Sequence, residues 1–331
     1  MANPYVQSYD FGDVLTSATA DYFAELGDNV SNNTGLLTYM NKKGRIATFD
    51  GGHEMWHPIA YQEMSTYKRY SGAETLSLAA DQHLTIAAFS IKQVALTVQI
   101  NGLEQLQVSG KNELRDLMAE RMDNAVRTFN NNFATDSYST GTADGGKQIG
   151  GIQSLVADVA TAGTVGGIDR STYSWWQNYA LDCVATGGAA VTSANIQSYF
   201  GQMWDQVTRN QEGPDVGVSD STHWRNYHDS LTAIQRVNTD AGDIKAGTGF
   251  PSLDYMGFPI IRDGGKGGAC PTKHTYFLNT DYLRLRPHSK RNMTPIGGKR
   301  QSVNQDAEVT IMGWAGNMTI NCSFLNGVMF G

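Results

Sequence analysis

HLTIAAFSIKQVALTVQI, residues 83–100, and NELRDLMAERMDNAVRTFNNNF, residues 112–133, stand almost side by side, and the apolar period changes between them. In the first, Leu84, Ile86 and Ala88 alternate, Phe89 and Ile91 switch phase, and Val94, Leu96, Val98 and Ile100 alternate again. This is the pattern of a strand with a β-bulge at each switch. In the second, Leu114, Leu117, Met118, Met122, Ala125, Val126, Phe129 and Phe133 recur in steps of three, one and four. With Ser109 as candidate N-cap they predict a helix of roughly 24 residues, about 36 Å long. Glu113, Arg115, Asp116, Glu120, Arg121 and Arg127 occupy its other face as a solvated stripe.

Residues 54–70 also read as strand, and the polar, Gly-containing residues 71–82 join them to the ribbon as a hairpin. Two arms of about 15 to 18 residues at ~3.3 Å each reach on the order of 50 Å. A compact chain of this length has a radius of gyration near ~20 Å. The hairpin is therefore expected to project, and because an isolated two-stranded ribbon is marginal in water it needs a surface to lean on. The surface it implies is another copy of the chain.

Farther along, Thr192 and Ser193 are candidate caps for a helix with Ile196, Tyr199, Phe200, Met203, Trp204 and Val207 on one face, ending near Gly213-Pro214. A second helix is expected near Asp220, burying Tyr227, Leu231 and Ile234. Residues 242–249 read as a mobile loop, residues 253–261 as one strand, and residues 307–312 and 318–324 as two more.

Five segments now stand in a telling order: the hairpin and helix, KQIGGIQSLV (residues 147–156), GTVGGIDRSTYSWW (163–176), FLNTDYLRL (277–285) and VNQDAEVTIMGWAGNMTINC (303–322). The ordered set resembles the major capsid proteins of tailed bacteriophages with the HK97-type fold. The resemblance covers most of the chain from Tyr67 onward. It implies an α+β fold with an N-terminal arm (residues 1–43), an extended β-hairpin or E-loop with its base (44–108), a peripheral domain with a long spine helix (109–190), an axial domain (191–280) and a return to the peripheral domain (281–331).

It further implies a protein that assembles with itself into pentamers and hexamers of an icosahedral or prolate shell around double-stranded DNA, without sequence-specific binding. Portal, a separate scaffolding protein and decoration proteins are the implied partners, and a virion capsid assembled in the host cytoplasm is the implied location. Some members crosslink a hairpin lysine to an asparagine of a neighbour; Lys68 is the nearest candidate, and no motif places its asparagine or a catalytic glutamate. An encapsulin-like nanocompartment shell is the alternative within the fold.

Composition agrees with a covered surface: 17% of residues are charged, against about a quarter in ordinary domains. Glycine is abundant at 36 residues and proline scarce at 8, which favours turns and close backbone approaches over linkers. The first basic residue is Lys42, so no secretory n-region is visible, and no apolar run approaches the ~18 residues of a membrane span. A cytosolic chain without a membrane role is the expectation. Cys183, Cys270 and Cys322 lack metal-site spacing and read as reduced thiols.

The net charge of −7 is unevenly placed. Residues 1–41 carry Asp10, Asp13, Asp21, Glu25 and Asp28 and no Lys or Arg, whereas residues 282–305 carry Arg284, Arg286, Lys290, Arg291, Lys299 and Arg300 and no acid until Asp306. Opposite potentials of this kind guide association and set register; a solvated loop and phosphate contact with packaged DNA are the other readings. Candidate subunit-interface residues are thus Tyr67, Lys68, Arg69, Tyr70 and Glu74 in the hairpin and Arg284, Arg286, Lys290 and Arg291 in the basic segment.

Two motifs imitate catalytic sites. His53-Glu54-Met55-Trp56-His57 matches H-E-x-x-H, in which one helical turn brings two imidazoles to zinc and the glutamate acts as general base. This is the basis of the second alternative, a zinc-dependent hydrolase. Gly51-Gly52 before it and Pro58 after it predict extended backbone instead, and in a strand residues i and i+4 lie about 13 Å apart. Gly141-Thr142-Ala143-Asp144-Gly145-Gly146-Lys147-Gln148 nearly matches a phosphate-binding loop, but Gln148 replaces the hydroxyl and the segment follows a helix rather than a strand. No catalytic, cofactor or metal residue is assigned.

Overall fold

The computed structural model describes residues 34–78, 81–107, 111–231, 252–265, 268–297, 300–301 and 307–331. The acidic residues 10–28, the expected cap Ser109, Ile234, the loop 242–249 and Lys299 lie outside them. In chain order the main elements are α1 (Gly35–Lys42), β1 (Glu54–Ala60), β2 (Leu84–Ser90), β3 (Lys92–Asn101) and α2 (Lys111–Ser137). Then follow β4 (Tyr179–Asp182), α3 (Ile196–Val207), β5 (Val216–Ser219), α4 (Ser221–Ser230), β6 (Ser252–Tyr255) and β7 (Phe258–Arg262). The last are β8 (His274–Leu278), β9 (Leu283–Pro287), β10 (Ala307–Ile320) and β11 (Gly327–Phe330).

One sheet is built around β10. Its Ala307–Gly316 half pairs antiparallel with all of β3, while its other edge takes β9 beside Gly316–Ile320 and the short strand Thr294–Pro295 beside Met312 and Gly313. The expected pair of C-terminal strands is thus one 14-residue strand followed by β11. Long-range pairing carries it through Gly313 and Gly316, where a side chain would collide with Ile296 or with the Trp314 ring and the Arg286 carbonyl.

The helix α2 is 27 residues long, which at 1.5 Å per residue is about 40 Å. Its stripe packs on the β10 sheet: Phe129 stacks on Phe133 at 5.4 Å, and Phe133 meets the Trp314 ring edge-on at 4.9 Å. Met122 lies against Val98 and Met312. At the C-terminal end of α2 the chain turns tightly, and Gly151 passes so close that a Cβ there would lie 2.3 Å from the Ser139 nitrogen and 2.5 Å from the Asp136 oxygen.

The second sheet has the order β4-β11-β8-β5-β7-β6. β11 is inserted between β4, to which it is parallel, and β8, to which it is antiparallel. On one face lies α3, which buries Ile196, Tyr199, Phe200, Met203 and Val207 as its spacing requires. Its cap is Asn195 rather than Thr192 or Ser193, because the Asn195 side chain is used to accept from the Thr192 amide at 2.7 Å and close the preceding turn. Asp220 caps α4 as expected, accepting from the His223 amide at 2.8 Å. Tyr227 is buried from that helix, whereas Leu231 stands at its C-cap and is only half-buried.

The single strand expected over 253–261 is instead the hairpin β6–β7. Met256 and Gly257 both take positive φ (46° and 91°) and make the two-residue turn between paired Tyr255 and Phe258.

A buried carboxyl ties the end of α2 and the start of α1 to the chain after β7. Asp263 accepts from the Tyr138 hydroxyl at 2.5 Å just beyond α2 and from the backbone amides of Ala269 and Leu36. Burial raises its pKa above the ordinary carboxylate value, against the pull of these hydrogen bonds.

Candidate functional site

The hairpin β1–β2 is in register from Glu54↔Ser90 to Ala60↔Leu84. Its inner face buries Met55, His57 and Ile59 from β1 with Ala87 and Phe89 from β2. The outer face is also apolar, and it is open. Trp56, paired with Ala88, is 65% exposed; Ile86, paired with Pro58, is 54% exposed; Leu84, paired with Ala60, is 53% exposed.

The paired arms are shorter than expected. They have seven residues each, not 15 to 18, which is about 23 Å of ribbon. The reason is that the second arm splits: the ladder stops at Ser90, Ile91 makes the break, and β3 leaves the hairpin to pair with β10 instead. The bulge expected at the Ala88–Phe89 switch is absent: pairing runs unbroken from Leu84 to Ser90, so Leu84 and Ile86 face outward and Ala87 and Phe89 inward.

Residues 61–83 connect the arms. Tyr61 stacks on Trp175 at 5.3 Å at the base, and Asp81 accepts from both the amide and hydroxyl of Ser65 at 2.6 Å. Those two bonds hold the Asp81 carboxyl below its ordinary pKa. Beyond this clasp every residue from 67 to 78 is exposed. Tyr67 is 81% and Tyr70 63% exposed, Arg69 is exposed, and Lys68 pairs with Glu74 at 2.8 Å. These five candidates therefore share one solvent-facing loop.

Four candidates from the basic segment lie elsewhere. Arg284 and Arg286 alternate with buried Leu283, Leu285 and Pro287 on β9, and Lys290 and Arg291 occupy the turn after it. Arg291 donates to the Gln93 side chain at 3.2 Å. The outer edge of β9 is bridged in parallel by Ile46 to Leu285 and by Phe49 to His288, and Arg45 pairs with Asp281.

The H-E-x-x-H sequence forms no metal site. Strand geometry sends Glu54 to the outer face and His57 to the inner one, where His57 meets Phe89 edge-on at 5.8 Å. Burial, then the charges of Arg286 and Arg284, lower the His57 pKa to about 4. His53 stands exposed before the strand. Among the described residues no group of three or more His, Cys, Asp or Glu side chains could hold a metal ion.

The phosphate-loop look-alike is a four-residue turn, Ala143–Gly146, with Asp144 and Gly145 left-handed at φ 53° and 67°. The Lys92 amine donates to the Gly146 carbonyl there. Nearby, an open cleft of about 270 Å³ lies between Ser90, Lys92, Gly150, Ser154, Gly166 and Asn317.

No protein-family model matches the chain, and no curated protein matches it by sequence. Solved structures do match by shape. The capsid asymmetric unit of cyanophage A-1(L) aligns with a TM-score of 0.62 at 16% identity, over 87% of this chain and 91% of that one. The fold is that of a phage capsid subunit. The capsid of a native GTA particle gives 0.56 at 10% identity, over 88% and 90% of the two chains. A chain from Mycobacterium phage Bobi gives 0.51 at 11% identity, over 88% and 89%. The architecture is the HK97-like α+β capsid fold expected from the ordered segments.

Within this capsid fold, sequence reading missed Trp56 and the outward Leu84 and Ile86. The signal was present: Met55, Trp56, Ile59, Leu84, Ile86 and Phe89 place apolar residues on both faces of the ribbon, and a ribbon apolar on both faces has two surfaces to cover.

Proposed function

We propose that this chain is the major capsid protein of a tailed bacteriophage, assembling with itself into the pentamers and hexamers of a closed shell around double-stranded DNA. The observation that carries this reading is the hairpin: its inner face is buried in its own chain, while Trp56, Ile86 and Leu84 on the outer face stay open. Exposed apolar surface of this kind suits contact with another protein. In this reading the hairpin lies on a neighbouring copy, and Tyr67, Lys68, Arg69, Tyr70 and Glu74 meet that copy from the loop.

The division of labour follows the same reading. Residues 1–33 serve as an arm, whereas α1 is buried in the core; residues 44–90 serve as the hairpin and its base, β3 with residues 109–190 and 281–331 as the peripheral domain, and 191–280 as the axial domain. The role is structural rather than catalytic, the location is the virion after assembly in the host cytoplasm, and portal, a separate scaffold and decoration proteins are the further partners. No helix among the described residues is long and apolar enough to cross a membrane.

Electron microscopy of the purified protein tests the proposal. Closed shells containing nucleic acid, when taken from infected cells, are the expected result. Shells that hold protein cargo and no DNA would move the assignment to a nanocompartment, and a monodisperse monomer under all assembly conditions would overturn it.

A further inference from the structure

Arg284 and Arg286 are two residues apart on β9, so their side chains leave the same face of the strand, about 7 Å apart. Both are half-buried, and the Nε atom of each is buried without a hydrogen-bond partner. Neither forms an ion pair among the described residues, since the acid near this strand, Asp281, is taken by Arg45. The imidazole facing them is His57, which is 3% exposed and also has a buried ring nitrogen, Nε2, without a partner. Burial and the neighbouring Arg284 depress the Arg286 pKa, and the two arginines help keep His57 neutral. Two guanidiniums held close, partly desolvated and without an acid form a receptor for carboxylates, which their planar forks bind in bidentate fashion.

The chain carries matching chemistry. Asp10, Asp13, Asp21, Glu25 and Asp28 lie in a segment with no Lys or Arg before Lys42. His57 lies on β1 of the hairpin, whose opposite face exposes Trp56 as apolar area for a second copy to cover. We propose that Arg284 and Arg286 form a docking site for the acidic segment, residues 10–28, of a neighbouring copy of this chain. The inference rests on the shell reading and adds the charged contact that sets register between copies. Lys290, exposed in the following turn, extends the positive field at the rim.

The test uses the full-length chain carrying Arg286→Lys, prepared as an equal mixture of unlabelled and ¹⁵N-labelled protein under assembly conditions. A zero-length carbodiimide joins an amine to a carboxylate in direct contact. Mass spectrometry is expected to find the β9 peptide linked to a peptide from residues 1–41, in mixed light–heavy form as often as in like–like form. Like–like links alone mean docking within one chain and overturn the proposal, as does the absence of any such link.

A second measurement guards against a local disturbance by Arg286→Lys. Arg284→Glu with Arg286→Glu should slow assembly by about tenfold or more, and adding Asp21→Lys, Glu25→Lys and Asp28→Lys should restore it. No recovery, or protection of the arginines by added DNA in place of the crosslink, overturns the site in favour of phosphate. Microscopy of the same samples separates the two readings: shells without the crosslink remove the docking site alone, and the absence of both removes the shell reading as well.

Discussion

Trp56→Ala isolates the outer face of the hairpin. The residue is 65% exposed in the single chain. An aromatic side chain of its size offers about 200 Å², so covering the exposed part would remove about 130 Å² from water, or about 3 kcal/mol at ~25 cal/mol per Å². That is about a hundredfold in the dissociation constant of one contact. Light scattering against protein concentration reads it as a rise in the assembly threshold, with salt and temperature held constant. The unassembled variant should unfold in urea within about 0.5 kcal/mol of the parent, because the substitution touches an exposed position. Met55→Ala, one residue away but only 4% exposed, should do the reverse, costing the fold about 2–4 kcal/mol. A Trp56→Ala protein that assembles at the parental threshold, or whose isolated chain loses several kcal/mol, would refute the assignment of this face to a neighbour.

Two further outcomes follow from the packing. Gly151→Ala places a methyl 2.3 Å from the Ser139 nitrogen at the end of α2; backbone on both sides cannot move aside, and a loss of about 2–3 kcal/mol in urea unfolding is expected. For His57 the folded pKa, about 4, lies below the ordinary value of ~6.5. The unfolded chain therefore binds the proton first, so its contribution to stability is complete above pH 6.5 and is lost as pH falls toward 4, by roughly 3 kcal/mol at most. His57→Gln should flatten that part of the profile, and urea midpoints measured across the window that fall as steeply in the variant as in the parent would contradict the argument.

Local periodicity made much of the fold legible. The steps of three and four in α2 and α3, and Asp220 as a cap, each report a constraint met within a few residues. Contacts across the chain were less legible. Nothing near residues 92–101 names residues 307–316 as their partner, so the ribbon read as one hairpin arm when half of it belongs to another sheet. The turn Met256-Gly257 was missed because its first residue is not one of the Asn, Asp or Gly that announce such turns. At the candidate surface, alternation marked Leu84 and Ile86 as apolar without saying whose core they fill. The basic strand was visible as composition, but only its fold on His57 shows that two of its arginines lack an acid among the described residues.

The place of β11 has a consequence for biosynthesis. Strand β4, made early, has no neighbour on that side until Gly327–Phe330 slides between it and β8. The six-stranded sheet therefore cannot close during synthesis until Gly327–Phe330 has left the ribosome. A chain cut short of Gly327 lacks the strand that joins β4 to β8, so its second sheet stays divided.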